Sequence, residues 1–106
     1  MWLIMKVTLQ DRAILRDIIA YSKYLMEANR EMDAHDIERK LLLFGEQTKA
    51  LSDDFMCDCF RLWWEGHSIY DALIATYLDA IDDIDWMRRI RPRLEMFITR
   101  IRNVVE

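Results

Sequence analysis

The sequence predicts an all-α protein, a compact antiparallel bundle of about five helices with one break or kink near Pro92. Three observations carry that prediction. The 106 residues contain only two Gly and one Pro, too few for the tight turns that sheet architectures need. Hydrophobic residues make up 53% of the chain, enough to offset the chain entropy of one folded domain and to exclude wholesale disorder. Those apolar residues recur every three or four positions, the period of a helix face.

The elements follow in order. Residues 1–7 read as an extended N-terminal arm of a single domain, with Met5 available as an alternative start. The opening MWLIMKV lacks a basic residue before its apolar run and small residues after it, so it does not resemble a signal peptide. Thr8-Leu9-Gln10-Asp11 has the form of a capping box, a hydroxyl followed three residues later by a carboxylate. Ile14, Ile18, Tyr21, Leu25, Ala28 and Met32 then make one seam, predicting helix 1 over 9–31. A similar start at Asp33–Asp36 precedes Ile37, Leu41, Phe44, Thr48 and Leu51, predicting helix 2 over 34–50. Gly45 lies inside that pattern, where a missing side chain admits a bulky neighbour such as a Trp or marks a kink. Ser52 is an N-cap with Asp53 and Asp54 in the first turn, where the helix dipole favours acids.

Helix 3, predicted over 53–65, is apolar nearly all round, and Glu65-Gly66 reads as its stop. Ser68-Ile69-Tyr70-Asp71 is a third capping pattern, opening helix 4 with a seam of Tyr70, Ile74, Tyr77, Ile81 and Ile84. Pro92 lacks a donor and clashes with a preceding turn, which places it in the first turn of helix 5. Ile90, Leu94, Phe97, Ile101 and Val104 carry the seam onward.

Charge is unevenly spread. Residues 1–85 hold 9 Lys/Arg against 17 Asp/Glu, whereas residues 86–106 hold 6 Arg against two Glu. The C-terminal segment is thus drawn to the acidic body, to a second copy, or to an outside anion. The net charge of −4 disfavours non-specific polyanion binding. Arg88, Arg89, Arg91 and Arg93 nonetheless sit beside Trp86, a combination able to contact a nucleic-acid backbone or stacked base. Nucleic acid is therefore an alternative partner. The plainer expectation is that these arginines pair with aspartates on helices 3 and 4 or cap a helix C-terminus near residue 91.

Catalytic patterns are thin. No Gly-rich phosphate loop or nucleophile elbow occurs. His35 and His67 fall at expected helix junctions, and Cys57 and Cys59 read as two buried thiols. Positions i and i+2 point about 200° apart on a helix, so no metal site is expected there. Helical acid pairs one turn apart are how all-α nucleoside triphosphate pyrophosphohydrolases of the MazG and dimeric dUTPase type hold Mg²⁺. Glu27 with Glu31, and Asp79, Asp82, Asp83 and Asp85, offer such pairs, but their separation does not match that pattern. A Mg²⁺-dependent pyrophosphohydrolase is the second alternative; no catalytic residue, cofactor or metal is assigned.

The aromatic load is more telling. Trp63 and Trp64 are adjacent and point about 100° apart on a helix, so one of them must leave the core centre. Trp, Tyr, Met and Arg are the residues enriched where proteins dock on proteins. The expected function is a cytoplasmic protein–protein interaction module that self-associates: an adaptor, assembly factor or inhibitor of a larger machine, of the accessory kind carried by phages and mobile elements. Its docking residues are Trp63, Trp64, Trp86, Arg88, Arg89, Arg91 and Arg93. No stretch approaches the run of about 20 apolar residues that a membrane span requires.

Overall fold

The computed structural model describes residues 7–28, 34–79 and 87–105. They form α1 (Leu9–Met26), α2 (Ala34–Ala50), α3 (Asp53–Asp58), α4 (Phe60–Asp79) and α5 (Arg91–Val105). The four long helices make a ring in the order α1, α2, α4, α5, and α3 is a short lead-in to α4. Cross-helix contacts give their directions. Between α2 and α4, Glu38 meets Tyr77, Gly45 meets Tyr70 and Thr48 approaches Gly66. Between α4 and α5, Ser68 meets Arg93 and Glu65 meets Arg100. Both pairs are antiparallel. At the α1–α2 seam the Lys40 ammonium lies 5.3 Å from the Tyr24 ring centre, while Asp11 reaches Ser52 beyond the far end of α2. That pair is antiparallel too, completing an up-down-up-down bundle.

The seams predicted for α1, α2 and α5 face the core. Ile18, Leu25, Phe44, Leu94 and Ile101 are fully buried, and Leu41 nearly so. Phe44 sits at the middle, its ring centre 6.4 Å from both Tyr70 and Phe97. Ser22 and Thr48 donate to the Ile18 and Gly45 carbonyls at 2.7 and 2.8 Å, so these buried hydroxyls are satisfied within their own helices.

Two predicted caps are present. Thr8 Oγ1 accepts from Asp11 N–H at 3.1 Å, and Ser52 Oγ accepts from Phe55 N–H at 3.1 Å. The acid half of the first box, however, turns elsewhere. The buried Asp11 carboxylate accepts from Ser52 N–H at 3.0 Å and from the Ser52 hydroxyl. It ties the start of α1 to the start of α3, 41 residues away. Pro92 lies in the first turn of α5, as its chemistry requires.

Several boundaries differ from expectation. Helix α1 ends at Met26, and Glu27 caps it, five residues before the predicted end; Glu31, Met32 and Asp33 lie outside the described residues. The expected stop at Gly66 and start at Ser68 do not occur, because α4 runs unbroken from Phe60 to Asp79. The break falls instead at Cys59, which leaves helical angles at φ −129°, ψ 47°. Asp11 pins the start of α3 through Ser52, while α4 takes its register from α2 and α5. The chain absorbs the difference at Cys59. The α4 seam is also rotated by about one residue. Ile69 and Leu73 are its fully buried positions, and Tyr70, Ile74 and Tyr77 are half-buried; Ile81 and Ile84 lie outside the described residues.

Both glycines are packing devices in helical conformation. A Cβ on Gly66 would come 3.2 Å from Phe97 Cζ, so this position lets α5 approach α4. A Cβ on Gly45 would fall 2.4 Å from Tyr70 Cζ and 2.5 Å from Cε1. Gly45 thus does admit a bulky neighbour, a Tyr rather than a Trp. We predict that Gly45→Val destabilises the fold by about 1–3 kcal/mol through overpacking, read as a lowered midpoint in urea. An unchanged midpoint would show that the Tyr70 ring swings clear at no cost.

A candidate protein-docking face

The N-terminal half of α4 is where the two adjacent tryptophans separate. Trp63 turns inward and packs half-buried on the core, its ring 5.8 Å from Phe60 and 4.2 Å from His67. Trp64 turns outward and is 59% exposed, as is Phe60 at 57%. Being four residues apart, Phe60 and Trp64 share one face of α4. His67 lies inside α4 rather than at a junction, with Nδ1 2.9 Å from the Trp63 carbonyl oxygen.

Beside that aromatic pair, α5 presents guanidinium groups. Arg93 donates to Ser68 Oγ at 3.1 Å, and Arg100 pairs with the Glu65 carboxylate. Ser68, expected as a cap, is thus an acceptor on the flank of α4. Phe60, Arg61, Trp64, Glu65, Ser68, Arg93 and Arg100 line an open hollow of about 320 Å³. A larger hollow of about 610 Å³ adjoins it, shares Phe60, Arg61 and Arg100, and extends past Cys57, Cys59 and Leu62 to Val104. Phe60, Arg61 and Arg100 border both hollows, and the acids Asp58 and Glu65 line them as well. Met96, 57% exposed, lies between Arg93 and Arg100 on the outer face of α5.

Of the sequence-predicted residues, Trp64 and Arg93 line this hollow, while Trp63 packs half-buried against the core. Arg88, Arg89 and Arg91 are exposed in the turn before α5 and at its first residue, and they do not line the hollow. Trp86 lies outside the described residues. The expected pairing of arginines with aspartates takes a different form: Arg93 engages a serine and Arg100 a glutamate. Phe60 and Arg100 were not singled out from the sequence. Their signal was available in the i, i+4 spacing of Phe60 with Trp64 and the i, i+7 spacing of Arg93 with Arg100.

The cysteines correct another expectation. Cys59, at the break between α3 and α4, is buried and Cys57 is exposed. Burial, with the nearby Asp58 and Asp11 charges, pushes the Cys59 thiol above its ordinary pKa, which suppresses the reactive thiolate. A thiol reagent should therefore modify one cysteine, Cys57, in the folded protein at neutral pH, and Cys59 only on unfolding. Mass analysis of the labelled protein reads this directly, and equal labelling of both would contradict the buried position.

Opposite in character is a groove between α2 and α4. Leu42, 57% exposed, and Leu78, 66% exposed, border it with Leu41, Ile74, Tyr77 and Glu38. The Tyr77 hydroxyl donates to Glu38 at 3.2 Å, and burial followed by that carboxylate raises the phenol pKa. Among the described residues no three potential metal ligands come together, and no helix is long and apolar enough to cross a membrane. Of the acid pairs, Glu31, Asp82, Asp83 and Asp85 lie outside the described residues, as does the Asp79 side chain.

No family model, curated protein or solved structure matches this chain. What the arrangement offers chemically is two large apolar anchors held next to fixed cationic donors.

Proposed function

We propose that this chain is a small protein-interaction module that self-associates through the Phe60–Trp64 face. The observation that carries the reading is the pair of large aromatic side chains left more than half exposed beside Arg93 and Arg100. Exposing both to water forgoes a stabilisation that burial elsewhere would supply, at about 25 cal/mol per Å² of apolar surface. Association recovers it, with Trp and Arg acting as anchors. Arg93 and Arg100 are held by Ser68 and Glu65 before a partner arrives, which lowers the ordering cost of docking. In a cell such a module acts as an adaptor, assembly factor or inhibitor within a larger machine.

Light scattering over a concentration series tests this. The parent should exceed the monomer mass as concentration rises. Trp64→Ala should weaken association by about tenfold or more with unchanged helicity by circular dichroism, since the side chain is mostly outside the core. A parent that stays monomeric at every concentration would sink the reading, as would a Trp64→Ala protein that associates as well as the parent.

A further inference from the structure

The larger hollow lies at the bundle end from which the N-terminal arm departs. Val7, the first described residue, packs half-buried on the core. Its carbonyl accepts from Arg12 Nε at 3.2 Å, which fixes where the preceding chain meets α1. Asp11, one turn on, is bonded to Ser52 at the start of α3. Ser52 caps Phe55 N–H, and the Phe55 carbonyl accepts from Cys59 N–H. Because α1 runs antiparallel to α2, α2 to α4 and α4 to α5, the start of α1 also packs beside the end of α5. The hollow of about 610 Å³ is walled by these same parts: Cys57, Cys59, Phe60 and Leu62 around the α3–α4 break, and Val104 on the last turn of α5. Before Val7 the chain reads Met1-Trp2-Leu3-Ile4-Met5-Lys6, five apolar residues and one lysine. An extended chain covers about 3.3–3.6 Å per residue, so the stretch from Lys6 back to Trp2 reaches about 17 Å. That exceeds the roughly 10 Å across one helix, so the segment can pass the end of α5.

We propose that the segment Trp2–Met5 seats in this hollow on its own chain, covering Phe60, Leu62 and Val104. Its point of attachment selects it as the occupant. A short tether at the same bundle end holds the segment over the hollow at an effective concentration in the millimolar range, which a free partner must exceed to compete. The charged residues of the hollow, Asp58, Arg61 and Arg100, are of both signs, so apolar burial rather than charge holds the segment. Trp64 lines the smaller hollow and not this one. The seated segment therefore leaves Trp64 open, and the inference goes beyond the association proposed above without depending on it.

Cys57, exposed in the wall of the hollow, reports on the segment. The rate of its alkylation by a maleimide, followed by mass analysis, is measured in the full chain carrying Trp64→Ala, so that association through Trp64 does not shield it. Adding Trp2→Ser/Leu3→Ser/Ile4→Ser should speed labelling of Cys57 by about fivefold or more, because the reagent no longer waits for the hollow to open. Helicity by circular dichroism should stay unchanged. If the triple variant loses helicity, Trp2→Ser alone replaces it, with acceleration again expected. Val104→Asp spoils the seat from the hollow's side and should free Cys57 as well; combined with the arm substitutions it should add no further acceleration. The protection should be the same at low and high protein concentration. Equal labelling rates with and without the arm substitutions would overturn the proposal. Protection that appears only as concentration rises would show a second copy supplying the segment, and would overturn the seat on its own chain. Neither result bears on association through Trp64, which light scattering of the parent decides separately.

Discussion

Replacing Phe44 by Ala should cost about 3–5 kcal/mol and leave the protein near its unfolding threshold. Phe44 is completely buried, and its ring packs beside aromatic rings on two other helices, Tyr70 on α4 and Phe97 on α5. Truncation removes the transfer free energy of the ring and leaves a cavity. Neither neighbour can collapse into it freely: Tyr70 is already seated on Gly45, and Phe97 on Gly66. A domain of this size is stable by only about 5–15 kcal/mol, so the loss is a large share of the total. Urea unfolding followed by circular dichroism should show the midpoint falling steeply. Leu42→Ala, at an exposed position in the same helix, is the control and should change stability by no more than about 0.5 kcal/mol. A loss below about 1 kcal/mol for Phe44→Ala would mean the three helices do not converge on this ring.

The second large effect is expected at a polar residue. Asp11→Ala should destabilise by about 2–3 kcal/mol, the range for losing hydrogen bonds to a charged group whose partners stay in place. The carboxylate is 2% exposed and accepts both the backbone N–H and the hydroxyl of Ser52. The Ser52 hydroxyl in turn accepts from Phe55 N–H. Removing Asp11 therefore frees the N-cap of α3 as well as the joint between α1 and α3. Asp11→Asn keeps one carbonyl oxygen and should recover part of the loss. Ser52→Ala should be costly by itself, and the double variant Asp11→Ala/Ser52→Ala should cost less than the two single losses added, because they break the same link. Strict additivity would show that Asp11 and Ser52 act independently.

Much of the bundle was legible in the sequence because helix caps and apolar periodicity are local. Thr8 and Ser52 cap as their residue types suggest, Pro92 opens α5, and the buried faces of α1, α2 and α5 follow their seams. The misreadings share a cause. Gly66 and Ser68 have the local chemistry of a helix end and a helix start, yet the backbone passes through both as helix. Gly66 is needed for the close approach of Phe97, and Ser68 serves Arg93. Cys59, where the chain does break, has no Gly or Pro to mark it. The candidate face was half legible: two adjacent tryptophans had to diverge, but periodicity could not say which would be exposed. Counting the α4 seam from a cap that does not exist shifted its phase by one residue.

The sequence by itself determined the helical class, the start of α1, the span of α2, the uneven charge and the necessity that one of Trp63 and Trp64 leave the core centre. Each of these depends on neighbours within a few turns of the chain. Only the tertiary structure decided that Trp64 is the outward one, that Asp11 reaches Ser52, that both glycines are contact points, and that the Phe60–Trp64 face and the Leu42–Leu78 groove occupy different seams of α4. These depend on residues up to 41 positions apart, brought together by the packing of four helices around Phe44, and no local pattern encodes which partner each will meet.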